Sequence, residues 1–218
     1  MPYLRALCCI AASAALLSSA VRADVIELPS TTREIRIDGV LEESEWTDAT
    51  RVSIAYETEP NENIPARVPT TAYVVENGES LFVAFDARDP DPDAIRAFLR
   101  DRDAAWDDDY VGIILDTYGD ERRAFEFYAN PLGVQMDLTR DDVNGNEDWS
   151  WNAIWDSAGR INEGGFVVEM EIPLSQLRFT QRDGAQEWSV DLGRSYPRDQ
   201  SYWLSNNPND RNINCYLC

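Results

Sequence analysis

Residues 71–87 read TAYVVENGESLFVAFDA. Two apolar-rich runs, 71–76 and 81–87, flank Asn77-Gly78-Glu79-Ser80. Asn-Gly adopts positive φ readily, so this stretch predicts a β-hairpin. Working outward, residues 110–116 carry a continuous apolar run from Val111 to Leu115 and predict a central strand. Residues 122–129 return after a turn, and Asn130-Pro131-Leu132-Gly133 turns the chain again into 134–138. In 166–172 the residues Phe166, Val168, Met170 and Ile172 fall on one face. A late strand is expected over 186–192, and short ones over 35–37 and 52–56. Residues 57–69 hold three prolines and read as a loop. Asp93 can cap a short helix through Ile95, Phe98 and Leu99, and Pro173 can open a single helical turn to Leu177. About ten short strands with frequent turns predict an all-β antiparallel β-sandwich with one or two short helices.

The chain has 218 residues, which suits one folded domain with short appendages. Residues 1–23 read as a signal peptide: Arg5, an apolar run over 7–17, and Val21-Arg22-Ala23 as a cleavage site. That run is too short for a membrane span. Residues 24–33 are a lead-in, 34–198 the sandwich, and 199–218 a linker or the start of a truncated C-terminal region. Removing 1–23 takes away two of 19 arginines and no acid, leaving 17 basic against 40 acidic residues, or −23. Such a balance excludes nucleic acid as partner, since phosphate binding needs a basic surface. There is no histidine. Ser-His-Asp catalysis and histidine-ligated zinc or haem are therefore excluded. Cys215 and Cys218 form a terminal Cys-Tyr-Leu-Cys, readable as a small disulfide, half a metal or redox motif, or a sequence cut short.

Residues 141–156, DDVNGNEDWSWNAIWD, combine five acidic side chains with three tryptophans. The first half reads as a polar turn. From Trp149 a strand is expected, with Trp149, Trp151 and Trp155 on one face. The oxygens of Asp141, Asp142, Asn144, Asn146 and Asp148 fall within eight residues and make a candidate calcium loop. A solvated acidic turn is the other reading of the same residues. Asp107-Asp108-Asp109 is a second cation candidate.

Ile37-Asp38-Gly39-Val40-Leu41 followed by Trp46, the 81–85 strand, Asp108-Asp109-Tyr110-Val111, Asn130-Pro131-Leu132-Gly133-Val134-Gln135, Trp151-Asn152-Ala153-Ile154-Trp155 and Glu171-Ile172-Pro173 occur in one order. That order resembles the family 9 carbohydrate-binding modules and their DOMON-like relatives over roughly residues 35–196. The likeness is nearest to such domains at the front of large exported bacterial proteins with a following outer-membrane barrel-like region. The resemblance implies a jelly-roll or immunoglobulin-like sandwich, sugar binding in association with carbohydrate breakdown, structural calcium, and a periplasmic or outer-membrane location in a Gram-negative-type cell. It implies a ring held between Trp106 and Trp155, with Asp109, Arg123 (or Arg122), Gln135 and Asn152 around it. No haem and no nucleotide is expected. Two alternatives stand beside sugar binding: a docking domain for a downstream barrel, and a glycoside hydrolase component, which needs only two carboxylates at a set separation.

Overall fold

The computed structural model describes residues 26–42, 44–180, 185–210 and 212. The signal-peptide segment and the terminal cysteine pair lie outside them. Among the described residues there are thirteen strands: β1 (Thr50–Ser53), β2 (Tyr56–Glu59), β3 (Ile64–Pro65), β4 (Thr70–Glu76), β5 (Ser80–Arg88), β6 (Tyr110–Asp116), β7 (Arg123–Ala129), β8 (Gln135–Asp141), β9 (Asn146–Asp148), β10 (Asp156–Asn162), β11 (Gly165–Pro173), β12 (Ser189–Pro197) and β13 (Ser201–Ser205). They form two sheets. The smaller has the order β1-β4-β5-β11-β10 and the larger β3-β2-β13-β12-β6-β7-β8-β9. Neighbouring strands are antiparallel throughout. This is the expected β-sandwich.

The hairpin expected at 71–87 is β4–β5, with Glu76 opposite Leu81. Gly78 sits at φ +87°, the conformation that an Asn-Gly turn favours, and Asn77 Oδ1 accepts from the amides of Glu79 and Ser80. Alternation then fills the core. Ala72, Val74, Val83, Phe85, Val168 and Met170 of the smaller sheet meet Val111, Ile113, Phe127, Leu192 and Leu204 of the larger. Full burial of each phenylalanine among them is worth about 1.5–3 kcal/mol.

The outer face of the smaller sheet is also covered. Ile35 and Trp46 pack on Val75, Phe82 and Ala84. The segment expected as a strand at 35–37 forms none, because its apolar side chains lie over the sheet face while β1 occupies the edge of β4. A buried carboxylate fixes this cover. Glu169 Oε2 accepts from the amides of Asp38 (3.0 Å) and Gly39 (2.8 Å), and Oε1 from Trp46 Nε1 (3.0 Å). The Asp-Gly-Val-Leu…Trp motif is therefore a lid clasped from β11.

Three further expectations are corrected. Residues 93–99 are not a helix: a single 3-10 turn, Pro92–Ala94, ends at extended Ile95. Leu99 is left 82% exposed, so no apolar face stabilises a longer helix. The stretch from Trp149 is not a strand, and β10 begins only at Asp156. Its backbone is held by side chains instead: Ala153 N donates to Asp137 Oδ2 (2.7 Å), Ile154 N to Gln176 Oε1 (3.0 Å), and Gln135 Nε2 to Trp155 O (2.7 Å). The sandwich also continues past residue 198, since β13 pairs with both β12 and β2. Its short Ser-Tyr-Trp-Leu-Ser run completes the sheet between them.

Candidate ligand-binding groove

The outer face of the larger sheet holds a groove of about 290 Å³. Its floor follows from strand alternation. On β6, Tyr110, Gly112 and Ile114 point away from the core; on β7, Glu126 and Tyr128 do so; β8 adds Leu138 and Arg140, β12 Ser195, and β13 Trp203. Gly112 and Gly193 stand opposite each other in the β6–β12 register. A Cβ on Gly112 would lie 2.0 Å from Tyr128 Cδ1, and one on Gly193 2.2 Å from Trp203 Cζ2. The two glycines let both rings lie down across the sheet.

Five rings make the wall. Trp106 meets Tyr110 at 5.7 Å, Tyr128 at 5.4 Å and Trp149 at 4.8 Å between centroids, each edge to face. Tyr110 and Tyr128 lie 6.0 and 6.2 Å from Trp203. Trp149 is 49% exposed and Trp106 and Trp203 are half-buried, so their faces remain open to a ligand. The loop bearing Trp106 is pinned from below. Asp109 Oδ2 accepts from Arg96 N (2.9 Å), and Asp108 Oδ2 from Phe98 N (3.0 Å) and Asn130 Nδ2 (2.9 Å).

The polar side of the groove centres on Glu126, which is 1% exposed. It accepts from the Tyr128 hydroxyl and from Arg140 Nε, and Arg140 reaches Glu147 at 2.8 Å. Burial pushes the Glu126 carboxyl above its ordinary range, against the opposing pull of Arg140 and Tyr128. Burial also pushes the Tyr110 phenol up to about 12, against a hydrogen bond with Ser195 and with help from Glu126 and Glu59. Tyr110 therefore stays protonated, and the groove combines flat apolar faces with fixed donors and acceptors.

Of the residues expected around a sugar, only Trp106 lies in this groove. Trp155 is on the opposite face of the same sheet, 4% exposed and edge to face with Phe127 at 5.4 Å. The expected Trp106–Trp155 pair is not formed, because the irregular 149–155 segment sends Trp149 outward and Trp155 into the core. Trp155→Ala is accordingly expected to cost about 3–5 kcal/mol in chemical unfolding, whereas Trp155→Phe keeps a ring there and leaves ligand binding unchanged. Asp109 is buried and paired with Arg198 at 2.8 Å, not with Arg123. Arg123 pairs with Asp120 at 3.0 Å and covers Tyr118 at 4.2 Å. It lines, with Arg122, a separate polar depression. Gln135 is engaged with Trp155 O and Arg102, and exposed Asn152 donates to Ser150 O (3.1 Å). The groove residues that composition did not single out are Tyr110, Tyr128, Trp203, Glu126 and Arg140. The signal for the three rings was an outward row of aromatics on strands whose inward positions are apolar, beside outward glycines.

The expected calcium set is spread along the β8–β9 hairpin. Asp141 Oδ1 accepts from Val143 N (3.0 Å) and Oδ2 from Asn144 Nδ2 (2.8 Å). Asp148 Oδ1 accepts from Ser150. These local bonds hold both carboxyls below the usual range. Among the described residues no three acidic, cysteine or histidine side chains converge as a metal site would require, at 141–148 or at Asp107-Asp108-Asp109.

A family model described as carbohydrate family 9 binding domain-like matches residues 37–193. Three solved structures share the fold. One is a protein from Bacteroides uniformis described provisionally as carbohydrate-binding, with 14% identity, a TM-score of 0.61, and coverage of 79% of this chain and 83% of that one. A family 9 carbohydrate-binding module from Caldicellulosiruptor kristjanssonii in complex with glucose has 12% identity, a TM-score of 0.58, and coverage of 87% and 89%. The structure of a family 9 module from the same organism with cellotriose has 12% identity, a TM-score of 0.56, and coverage of 86% and 87%. No curated protein matches the chain.

Proposed function

We propose that this chain, which belongs to the carbohydrate family 9 binding domain-like family, grips a sugar ring in the aromatic groove on its larger sheet. The observation that carries the reading is the five-ring wall, whose two innermost rings rest on Gly112 and Gly193. A sugar offers C–H patches on its faces and hydroxyls around its rim. Indole faces cover the patches, while Tyr110, Ser195, Arg140 and the carboxylates serve the hydroxyls. By analogy with base stacking, each open ring contributes about 1–3 kcal/mol, and each net hydrogen bond about 0.5–1.5 kcal/mol. After association costs, affinity falls on the order of micromolar to millimolar.

Titration calorimetry with glucose and cellotriose tests this. The wild type gives a saturable heat. Trp106→Ala and Trp149→Ala each weaken it by roughly 5- to 150-fold, the equivalent of one stacking contact, with the melting temperature of Trp149→Ala nearly unchanged because that ring is half exposed. Unchanged affinity in both variants would remove the groove from consideration. The reading extends to an exported domain serving carbohydrate breakdown ahead of a barrel region. Arg5, the apolar run over 7–17 and the acidic mature composition support export, while the carbohydrate breakdown and the barrel region rest on the sequence resemblance alone.

A further inference from the structure

We infer that the groove selects a sugar carrying a protonated amine over its neutral or anionic counterpart; this rests on the sugar-binding reading above. Three carboxylates line the groove, Glu59, Glu126 and Glu147, against one guanidinium, Arg140. Arg140 is already committed to two of them, at Glu126 and Glu147. The third, Glu59, is exposed and comes from β2, while Glu147 comes from β9, so acidic side chains stand at both ends of the aromatic floor. The local charge is one guanidinium against three carboxylates, which leaves a net negative field over the ring faces.

The aromatic wall acts in the same direction. Trp106, Trp149, Trp203, Tyr110 and Tyr128 all line the groove, and Trp149 is the most exposed of them. Ring faces of this kind attract ammonium groups, most strongly at tryptophan. A neutral hexose uses the same faces through C–H contacts but gains nothing from the surplus carboxylates. A uronate adds a fourth negative charge, and like charges brought together at a site disfavour the wrong partner. Burial holds the Tyr110 phenol protonated, and Glu126 and Glu59 act in the same direction. The ligand class is therefore an amino sugar, such as a 2-amino-2-deoxyhexose or an oligomer of it.

The test is calorimetry on the full chain near neutral pH and low ionic strength, with glucosamine, glucose, N-acetylglucosamine, glucuronate and tetramethylammonium as probes. Glucosamine is expected to bind about tenfold tighter than glucose or N-acetylglucosamine, the worth of one cation–π contact and one partly exposed ion pair. Salt lowers that ratio, because the extra attraction is screened. Glucuronate gives no measurable heat. Glu59→Gln moves the glucosamine-to-glucose ratio toward one, and its circular dichroism and melting check that it remains folded. Glucose binding as tightly as glucosamine overturns the charge selection and leaves the sugar groove standing. Silence from every sugar overturns both. Tetramethylammonium binding as tightly as glucosamine, with glucose silent, overturns the sugar reading and the amino-sugar assignment with it.

Discussion

Gly112→Ala is expected to destabilise the fold by about 1–3 kcal/mol or more and to remove sugar binding in the same step. The added Cβ meets Tyr128 Cδ1 at 2.0 Å and the Phe127 carbonyl oxygen at 2.6 Å. The second contact is backbone in the neighbouring strand, so swinging the ring away does not relieve it. Gly193→Ala provides the graded comparison. Its nearest atoms all belong to the Trp203 side chain, the closest at 2.2 Å, and that ring borders solvent. Trp203 can therefore tilt out at a smaller cost in stability, but the floor it forms is lost. Urea unfolding together with glucose titration separates the cases: a large stability loss in Gly112→Ala, a smaller one in Gly193→Ala, and weakened binding in both. A Gly112→Ala protein with wild-type stability and affinity would show that neither ring needs the glycine floor.

Glu169→Ala is expected to be the most damaging single change away from the groove. The side chain holds two backbone amides and the Trp46 indole N–H, and it is fully buried. Each stranded buried donor costs about 1–3 kcal/mol. Three of them amount to roughly 3–6 kcal/mol, with some relief where water reaches the lid. At about 2–4 °C per kcal/mol for a chain of this size, differential scanning calorimetry should show a drop of order 10 °C. Sugar affinity of the folded fraction stays unchanged, because the lid covers the other sheet. Loss of less than about 1 kcal/mol would mean that the lid is held by its apolar contacts alone. Burial also raises the Glu169 carboxyl above its ordinary range. The folded state thus binds that proton more tightly than the unfolded chain does. The stability it contributes is full below the unfolded carboxylate value and is given up as pH rises through the raised folded value. In Glu169→Gln that part of the pH dependence disappears from the melting curve.

Much of this protein could be read without coordinates. The 71–87 hairpin, the central strand at 110–116 and the apolar face of 166–172 follow from period-two alternation and from Asn-Gly turn chemistry, which act over a few residues. Trp46 could be placed in a core, and Trp106 is the one expected site residue that lines the groove. The strand expected from Trp149 was lost because partners distant in sequence, Asp137, Gln135 and Gln176, supply the hydrogen bonds that a ladder otherwise would. Strand β10, Asp-Ser-Ala-Gly-Arg-Ile-Asn, has no alternating apolar pattern because it is an exposed edge. Asp109 and Arg123 share a composition that suits sugars, yet each is taken by a nearer ion partner, Arg198 and Asp120.

By itself the sequence determined the class of fold, the antiparallel hairpins and the exclusion of histidine chemistry, since these depend on local alternation, turn residues and residue inventory. Only the tertiary structure decided which tryptophans meet. Trp106, Trp149 and Trp203 come from two loops and a strand spanning nearly a hundred positions, while Trp155 stands six residues from Trp149 on the other side of the sheet. Such neighbours are set by the order in which strands pair, which no short window of residues encodes.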